Sequence, residues 1–334
     1  MPWREVSDEK AQWEFVRSLS ARPGLFLQTP AWAKFQRALG QKTVLLGWFE
    51  NEDLTGIASF VWRSLPLGWG YWLCSKGPLF SSQASQAKAL VELYKFLRAA
   101  KVLFLRLEPD QAPPQGRRTI DDDPKATTVV DLSASAEQLF ARMHEKTRYN
   151  IRLAERKGLT FHWSGVNEFG RFWSLLKATA RRENFHTHTP DHYRTMLELF
   201  GNEPLATPAL ACRLGLVEYQ GELLAVSLVV ACNRQATYLH GASSRRHHEL
   251  MAPHLLHGAA MRELKSAGCL SYDLWGIQPQ DGSLKSWAGF TRFKLGFGGQ
   301  RFESPGTFDF PLSGWAYAGY GALRRFRRAV ALSF

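Results

Sequence analysis

The segment YLHGASSRRHHELMAPHLLHGAAMRELKSAGCLSYDLWGI, residues 238–277, decides the fold. A strand ends within Tyr238–Gly241, a short loop rich in serine and arginine follows, and a helix spans about Pro253 to Ala267. The mainly apolar run at 269–277 then predicts another strand. A strand, a loop at a helix start, a helix and a second strand together indicate an α/β unit.

The sequence on both sides extends this unit and repeats its order. Each half of the chain predicts two helices, a meander of strands, a helix and a strand. The predicted helices lie at 8–20, from Pro30 onward, and at 85–99, 136–158, 169–183, 191–200 and 253–267. The predicted strands lie at 43–49, 56–62, 101–109 and 127–133, within 210–244, and at 269–277. Residues 285–299 predict a loop with one helical turn, and 323–334 a basic helix.

These patterns predict two mixed α/β domains, each a mainly antiparallel twisted sheet flanked by helices. Residues 1–143 with 310–334 are expected to form the first domain and residues 144–309 the second. No region carries sustained heptads, so no coiled-coil arm is expected.

Composition narrows the functional classes. The 334 residues are 45% hydrophobic and 13% aromatic, which excludes wholesale disorder and collagen-like repeats. The 42 Lys and Arg residues exceed the 30 Asp and Glu residues by 12. This excess favours anionic partners such as nucleic acid, phosphorylated metabolites or an acidic membrane face.

The N-terminus and the cysteines suggest a cytoplasmic protein. Residues 1–15 are polar and mixed in charge, without the apolar core of a signal peptide, and no stretch reaches the length of a membrane helix. The four cysteines form no CxxC pair. We therefore expect four buried thiols in a reducing compartment.

The loop at 245–253 argues against coenzyme A. Acetyltransferases of the GNAT superfamily hold a glycine-rich loop here, whose backbone N–H groups grip the pyrophosphate. This loop reads RRHHELMAP and has no glycine, and its Pro253 lacks an N–H group. Two arginines still suit phosphate oxygens, although a solvated basic loop is the simpler alternative.

Several segments together resemble the Fem family of peptidoglycan-bridge aminoacyltransferases. They are FLQTPAWAKFQ (26–36), SKGPLF (75–80), KTRYNIRLAERKG (146–158), the segment at 238–277 and WAGFTRFKLGFGGQ (287–300). The most specific are KTRYNIRLAERKG and FKLGFGG (293–299). The resemblance implies two GNAT-like domains in the compact form that lacks an arm.

It also implies an activity. Such enzymes transfer an amino acid from aminoacyl-tRNA to the side-chain amine of the third residue of the stem peptide. The acceptor is UDP-MurNAc-pentapeptide or its lipid-linked form, and no cofactor is expected. A monomer is expected, with possible contact at the inner membrane face. The alternatives are an N-acyltransferase that uses acyl-CoA and a non-catalytic scaffold associated with RNA or membrane.

The resemblance proposes three catalytic candidates. Lys294 matches the family lysine that stabilises the developing oxyanion, and Phe293 matches the aromatic beside it; a salt-bridged lysine before a turn is the alternative. Glu108, in LRLEP, stands where the family usually has aspartate. A carboxylate at a strand end can orient or deprotonate an attacking amine, but the longer side chain weakens the match.

Binding candidates come from the same matches. Lys34 and one of Arg245 and Arg246 correspond to positions that hold the precursor diphosphate. His254 and Trp275 lie in the matching segment and join the substrate-binding candidates. Arg148, Arg152 and Arg156 recur every four residues and form a cationic stripe that suits tRNA phosphates or is simply a solvated helix face.

The histidines do not predict a metal site. His186, His188 and His192 form HTHTPDH, and His247, His248, His254 and His257 form a second group. Neither group has HExxH or facial-triad spacing, so no metal is expected. The run RRENFHTHTPDHY (181–193) instead resembles a stretch of the Fem family that lies close to the acceptor peptide. The tail LRRFRRAVALSF either lies on an anionic membrane or packs its apolar face on the first domain.

Overall fold

The computed structural model describes residues 2–19, 22–96, 102–206 and 209–331; at 83–85, 94–96, 323 and 325–331 only the backbone is considered. The helices are α1 (Glu9–Ser18), α2 (Pro30–Ala38), α3 (Gln83–Phe96), α4 (Ala136–Arg142), α5 (Glu145–Arg156), α6 (Phe169–Glu183), α7 (Pro190–Phe200), α8 (Ala252–Ser266), α9 (Ala288–Leu295) and α10 (Gly314–Ala331). The strands are β1 (Trp3–Glu5), β2 (Thr43–Glu50), β3 (Asp53–Ser64), β4 (Gly70–Cys74), β5 (Leu79–Phe80), β6 (Val102–Leu107), β7 (Arg117–Arg118), β8 (Ala126–Asp131), β9 (Thr160–Ser164), β10 (Ala211–Tyr219), β11 (Glu222–Cys232), β12 (Gln235–Ser243), β13 (Ser271–Gly276), β14 (Gln300–Glu303) and β15 (Phe308–Pro311).

The chain forms two compact units, each with one sheet. Unit 1 comprises residues 1–19, 27–123 and 304–334, and unit 2 comprises residues 20–26 and 124–303. The sheet of unit 1 has the order β1-β2-β3-β4-β6-β15-β7, with β5 paired to β3. The sheet of unit 2 has the order β14-β8-β13-β12-β11-β10-β9. Both sheets are mainly antiparallel with one parallel pair, β4–β6 and β12–β13 respectively.

The unit boundaries differ from the predicted ones. Residues 124–143 belong to unit 2 because β8 pairs with β13 and β14. Residues 304–309 belong to unit 1 because β15 pairs with β6 and β7. The C-terminal part of unit 1 begins at Ser304.

A buried ion pair holds the returning strand in unit 1. The Arg106 guanidinium on β6 donates to both carboxylate oxygens of Asp309 on β15, at 2.7 and 2.9 Å. Tyr317 of α10 donates to the same carboxylate at 2.8 Å. Such two-point pairing compensates the desolvation of a charge that is almost fully buried.

Two local predictions were wrong, whereas the predicted start of α2 was right. The predicted helix at 136–158 breaks between α4 and α5, where the N–H of His144 donates to the carbonyl oxygen of Gly296. The predicted loop at 285–299 contains the helix α9. As predicted, α2 begins at Pro30, and the Thr29 hydroxyl caps it by accepting from the N–H of Trp32 at 3.1 Å.

All four cysteines are buried and free, as predicted. None of the helices within the described ranges combines the length and apolarity that crossing a bilayer requires. The basic tail lies in α10, where the Arg324 side chain donates to the Thr119 hydroxyl at 3.1 Å. The side chains of Arg325, Arg327 and Arg328, and residues 332–334 altogether, lie outside the described part.

Candidate active site

Two neighbouring strands of unit 2 separate and leave an opening in the sheet. The parallel strands β12 and β13 pair from Gln235–Ser271 to Thr237–Asp273, and their pairing ends there. Beyond that point, β13 shifts register against β8 between Asp273 and Gly276, and Trp275 takes a left-handed φ of 59°. The opening is therefore lined by the second half of β12 and the bulged end of β13.

Lys294 of α9 points into this opening. Its ammonium donates to the carbonyl oxygen of Gly276 at 2.8 Å and lies 5.5 Å from the ring centroid of Tyr238. The residue is 9% exposed. Burial disfavours the ammonium and lowers the pKa of Lys294 to about 7, while the negative charge of Asp273 opposes that shift.

Asp273 is a part of the site that sequence reasoning missed. Its carboxylate is fully buried and accepts from the N–H of Trp275 at 2.8 Å and from the Thr127 hydroxyl. It therefore holds the bulge in β13 and places a negative charge near Lys294. The available signal was one acid inside the apolar run CLSYDLWGI, because buried carboxylates need partners.

Two further residues missed by sequence reasoning, His257 and Tyr238, surround the lysine. His257 of α8 lies 4.6 Å from Tyr238 between ring centroids, and its Nδ1 is 3.1 Å from the Tyr272 hydroxyl. Burial, with a smaller contribution from the Lys294 charge, lowers the pKa of His257 to about 3. The imidazole is therefore uncharged at neutral pH, and with Tyr238 it forms a dry wall beside the ammonium.

His254 and Phe293 pack next to this wall. Their ring centroids are 5.1 Å apart, and Phe293 also lies 5.6 Å from His257. His254 Nε2 is 3.2 Å from the side-chain amide nitrogen of Asn150, and burial lowers the pKa of His254 to about 4. The predicted candidates Lys294, Phe293 and His254 are thus brought together. Trp275 lies on the bulge, with its ring 6.0 Å from Phe26.

The predicted diphosphate residues fall in different units. Lys34 is exposed on α2 of unit 1. Arg245 and Arg246 follow β12 in unit 2, with side chains 77% and 76% exposed. Arg246 pairs with Glu222 at 3.2 Å, whereas the Arg245–Glu183 separation is 3.8 Å. The two arginines are open to solvent, and they lie before a helix whose first turn contains a proline and no glycine.

Glu108 lies in unit 1, and its carboxylate is engaged there. Its oxygens accept from the Lys76 N–H at 3.2 Å, the Asp123 N–H at 3.1 Å and the Thr307 hydroxyl at 2.8 Å. The Lys76 ammonium lies 3.3 Å away. The side chain is 1% exposed. These contacts indicate that Glu108 holds neighbouring loops together.

The arginine stripe on α5 is only partly free for a ligand. Arg148 donates to the carbonyl oxygens of Ala141 and Met143 and so closes the end of α4. Arg152 is exposed, with its guanidinium 4.9 Å from the centroid of the Phe140 ring. Arg156 is exposed at the last turn, where a cation also suits the helix dipole.

The FemAB family model matches residues 14–115, 115–223 and 210–325, which together span both units. The chain belongs to the FemAB family. The predicted resemblance is therefore confirmed, and with it the mixed α/β architecture of two GNAT-like units. Within the residues that the structure describes, no coiled-coil arm is present. The longest helix within the described ranges, α10, has 18 residues.

Two named relatives resemble this chain at low identity over most of its length. Lipid II:glycine glycyltransferase of Staphylococcus haemolyticus (strain JCSC1435) is 19% identical over 373 residues, covering 87% of this chain and 88% of that protein. Lipid II:glycine glycyltransferase of Staphylococcus aureus (strain NCTC 8325) is 18% identical over 374 residues, covering 87% and 89%.

Solved structures share the fold. The crystal structure of FemX superposes with a TM-score of 0.80 at 16% identity, covering 95% of this chain and 99% of that one. A tandem GNAT protein from the clavulanic acid biosynthesis pathway superposes with a TM-score of 0.55 at 12% identity, covering 93% and 98%. This FemAB chain therefore has the tandem GNAT-like fold.

Proposed function

We propose that this protein is an aminoacyltransferase that builds the peptidoglycan cross-bridge. It would transfer an amino acid from aminoacyl-tRNA to the side-chain amine of the third residue of the precursor stem peptide. Membership of the FemAB family and the relatives named lipid II:glycine glycyltransferase support this substrate class. The buried Lys294 ammonium, held at the opening between β12 and β13, carries the proposal.

The reaction is the aminolysis of an ester. The amine nitrogen bonds to the ester carbonyl carbon, and negative charge develops on the carbonyl oxygen. The bond to the ribose oxygen then breaks, the amine loses a proton and the ribose oxygen gains one. A fixed cation in a dry site stabilises such an oxyanion far better than a solvated one does.

The electrostatics of Lys294 suit this role. Its pKa of about 7 leaves the free protein with a mixture of ammonium and amine at neutral pH. An anionic donor that binds beside it would raise that pKa and favour the ammonium. Because Gly276 and the nearby Asp273 hold the side chain in place, little reorganisation is needed when charge develops.

The remaining candidates receive roles around this centre. Phe293, His254 and Trp275 would shape the walls for the aminoacyl ester and the acceptor. Lys34, and separately Arg245 or Arg246, are the candidates for binding the precursor diphosphate, and Arg152 and Arg156 those for the phosphates of the tRNA acceptor arm. Glu108 would act as a structural anchor of unit 1.

Mass spectrometry tests the proposal directly. UDP-MurNAc-pentapeptide, or the lipid-linked precursor in detergent, is incubated with the protein and a mixture of charged tRNAs. We expect the precursor to gain the mass of one or more amino acid residues, and ribonuclease treatment of the donor to abolish the gain. No mass gain with either acceptor would contradict the proposal.

Calorimetry with acetyl-CoA tests the acyl-CoA alternative. The start of α8 carries Pro253 and no glycine, so it lacks the bare N–H groups that hold a pyrophosphate. We expect no binding at submillimolar acetyl-CoA. A micromolar isotherm would instead support an acyl-CoA donor.

The basic tail could bring the enzyme to a lipid-linked acceptor. Arg324, Arg325, Arg327 and Arg328 lie on the C-terminal part of α10. Each cation near an anionic surface is worth about 1 kcal/mol. Sedimentation with phosphatidylglycerol vesicles at low salt should remove the protein from the supernatant, and four Arg→Gln substitutions should return it there. If the intact protein stays in the supernatant, the tail does not bind membranes, and the soluble precursor is the expected acceptor.

A further inference from the structure

Three histidines of unit 2 meet around β12 and the start of α7. His188 comes from the loop before α7, His192 from the first turn of α7, and His240 from β12. One ring nitrogen from each lies within 4.8 Å of the other two. The rings of His188 and His192 are stacked with centroids 4.0 Å apart, and His240 stands edge-on to them at 5.6 and 6.3 Å.

A β-bulge turns His240 toward this cluster. On β11, Val229 faces Tyr238 and Leu228 faces His240, so Leu239 is the inserted residue. Directly opposed residues share a face of the sheet, and adjacent residues of β11 point to opposite faces. Tyr238 and His240 therefore lie on opposite faces. Tyr238 packs beside Lys294, whereas His240 packs beside Tyr193 of α7, 5.0 Å away between centroids.

Tyr193 also fixes the loop that carries His188. It is 1% exposed, and its hydroxyl accepts from the N–H of His188 at 3.1 Å. A buried anchor thus positions the backbone of His188, while His192 is one residue away on the same helix. The three imidazoles are held by ordered neighbours, as a preformed binding site requires.

An imidazole binds a metal ion through the lone pair of a neutral ring nitrogen, and each of the three histidines brings one ring nitrogen to the cluster.

We propose that His188, His192 and His240 form a binding site for one divalent transition-metal ion, with Zn²⁺ as the first choice. Three imidazoles with a water in the fourth position are a typical tetrahedral zinc set. Such a set needs nitrogen–nitrogen separations of roughly 3.4 Å, which small side-chain rotations would reach from the present positions. The ion would tie the loop before α7 to β12. Sequence spacing could not reveal this site, because His240 lies far along the chain from HTHTPDH.

Metal titration of the full-length protein, purified without a polyhistidine tag and treated with chelator, tests the site. Calorimetry with ZnCl₂ should show one equivalent bound, and CoCl₂ should give the visible d–d absorption of a four-coordinate ion. His192→Ala and His240→Ala should each weaken Zn²⁺ binding at least about tenfold, the lower end for disturbed metal sites. His186→Ala is the matched control, because His186 lies in the same run, is exposed and is outside the cluster.

Thermal unfolding separates metal loss from misfolding. With chelator present, His192→Ala should unfold near the wild-type temperature. Added ZnCl₂ should raise the unfolding temperature of the wild type and of His186→Ala, but not of His192→Ala, because a ligand stabilises only the state that binds it. The proposal is overturned if the wild type shows no saturable binding. It is equally overturned if the triple His→Ala variant still binds one equivalent, or if His186→Ala loses as much affinity as His240→Ala.

Discussion

The side-chain nitrogen of Lys294 donates a 2.8 Å hydrogen bond to the carbonyl oxygen of Gly276, 18 residues earlier in the chain. This bond joins α9 to the bulged end of β13 and fixes a cation at the opening of the sheet. A substituent at Gly276 would meet Pro124 at 2.8 Å and Trp287 at 3.0 Å, so the strand end is packed from outside as well. The hydrogen bond to this backbone carbonyl group therefore fixes the position of the Lys294 charge.

Lys294→Met tests the catalytic role. If the ammonium stabilises the oxyanion, kcat should fall by about 10²–10³, the usual loss for one such donor. The affinity for the precursor should hardly change. Steady-state kinetics with both substrates measure this, and Lys285→Met is the control because Lys285 is exposed shortly before α9. Near-normal turnover in a folded Lys294→Met protein would mean that Lys294 has a structural role and not a catalytic one.

The stability of the wild type should depend on pH through Lys294, in a defined direction. The unfolded chain keeps this lysine protonated up to its ordinary pKa near 10.5, whereas the folded chain releases the proton near 7. Between these values the unfolded state binds more protons, so this group makes the folded protein more stable as pH rises. Below pH 7 the cost of burying the charge is present in full.

We therefore compare the unfolding free energies of wild type and Lys294→Met at pH 6 and pH 9. The unfolding free energy of Lys294→Met minus that of the wild type should be larger at pH 6. This difference should shrink by up to about 1.4 kcal/mol per pH unit above 7. The lost bond to Gly276 adds a constant offset, so the change with pH is decisive. A pH-independent difference would mean that the lysine titrates normally.

Gly241→Ala tests the packing of the site wall. A Cβ at position 241 would overlap the Tyr238 hydroxyl, so the Tyr238 ring must shift from its position beside Lys294. We expect a loss of about 1–3 kcal/mol in unfolding free energy, as for overpacked cores, together with reduced kcat. Gly170→Ala in α6 is the control because nothing lies within 4 Å of its added carbon. Unchanged turnover in Gly241→Ala would separate Tyr238 from catalysis.

Glu108→Gln should affect stability and spare chemistry. The amide replaces one acceptor oxygen with a donor that faces N–H, hydroxyl or ammonium groups of Lys76, Asp123 and Thr307. The unfolding free energy should fall by about 1–3 kcal/mol. Glu14→Gln, at an exposed site on α1, should change neither quantity. If turnover instead drops about a hundredfold or more while stability is unchanged, Glu108 is the general base after all.

The two arginines that follow β12 should affect the binding of one substrate, the precursor. Arg245→Gln with Arg246→Gln should raise KM for the precursor far more than KM for aminoacyl-tRNA, because paired guanidinium groups suit a diphosphate. Lys34→Gln should have the same selective effect. Arg262→Gln is the control, since this surface arginine of α8 pairs with Glu155 at 2.7 Å. Equal effects on both substrates would indicate a general electrostatic field instead.

The features that were predicted correctly depend on residues close together in the sequence. The predicted start of α2 at Pro30 was right, and Thr29 caps it. Gly158, the last residue of the helix predicted at 136–158, has the left-handed φ of 82° that follows the end of α5. Lys294, Phe293 and His254 were found by motif and do lie together. These features depend on residues close in sequence or on a motif that spans one helix.

Distant partners determine the features that were missed. The helix breaks at His144 because its N–H bonds to Gly296, which local periodicity does not reveal. β8 has the pattern of any strand, and only its pairing with β13 and β14 assigns it to unit 2. Asp273 and Tyr238 became site residues only when the separation of β12 and β13 placed them beside Lys294.

The inserted Leu239 changes what one strand can do. In a regular strand every second side chain lies on the same side, so Tyr238 and His240 would share one face of the sheet. The bulge at Leu239 reverses that parity and gives each face of the sheet one of the two side chains. Deleting Leu239 would make Tyr238 and His240 consecutive residues of a regular strand, so the two side chains would still lie on opposite faces. Straightening the bulge with Leu239 retained would instead turn one of them away from its neighbours, so the backbone conformation at Leu239 lets one strand contribute to both faces.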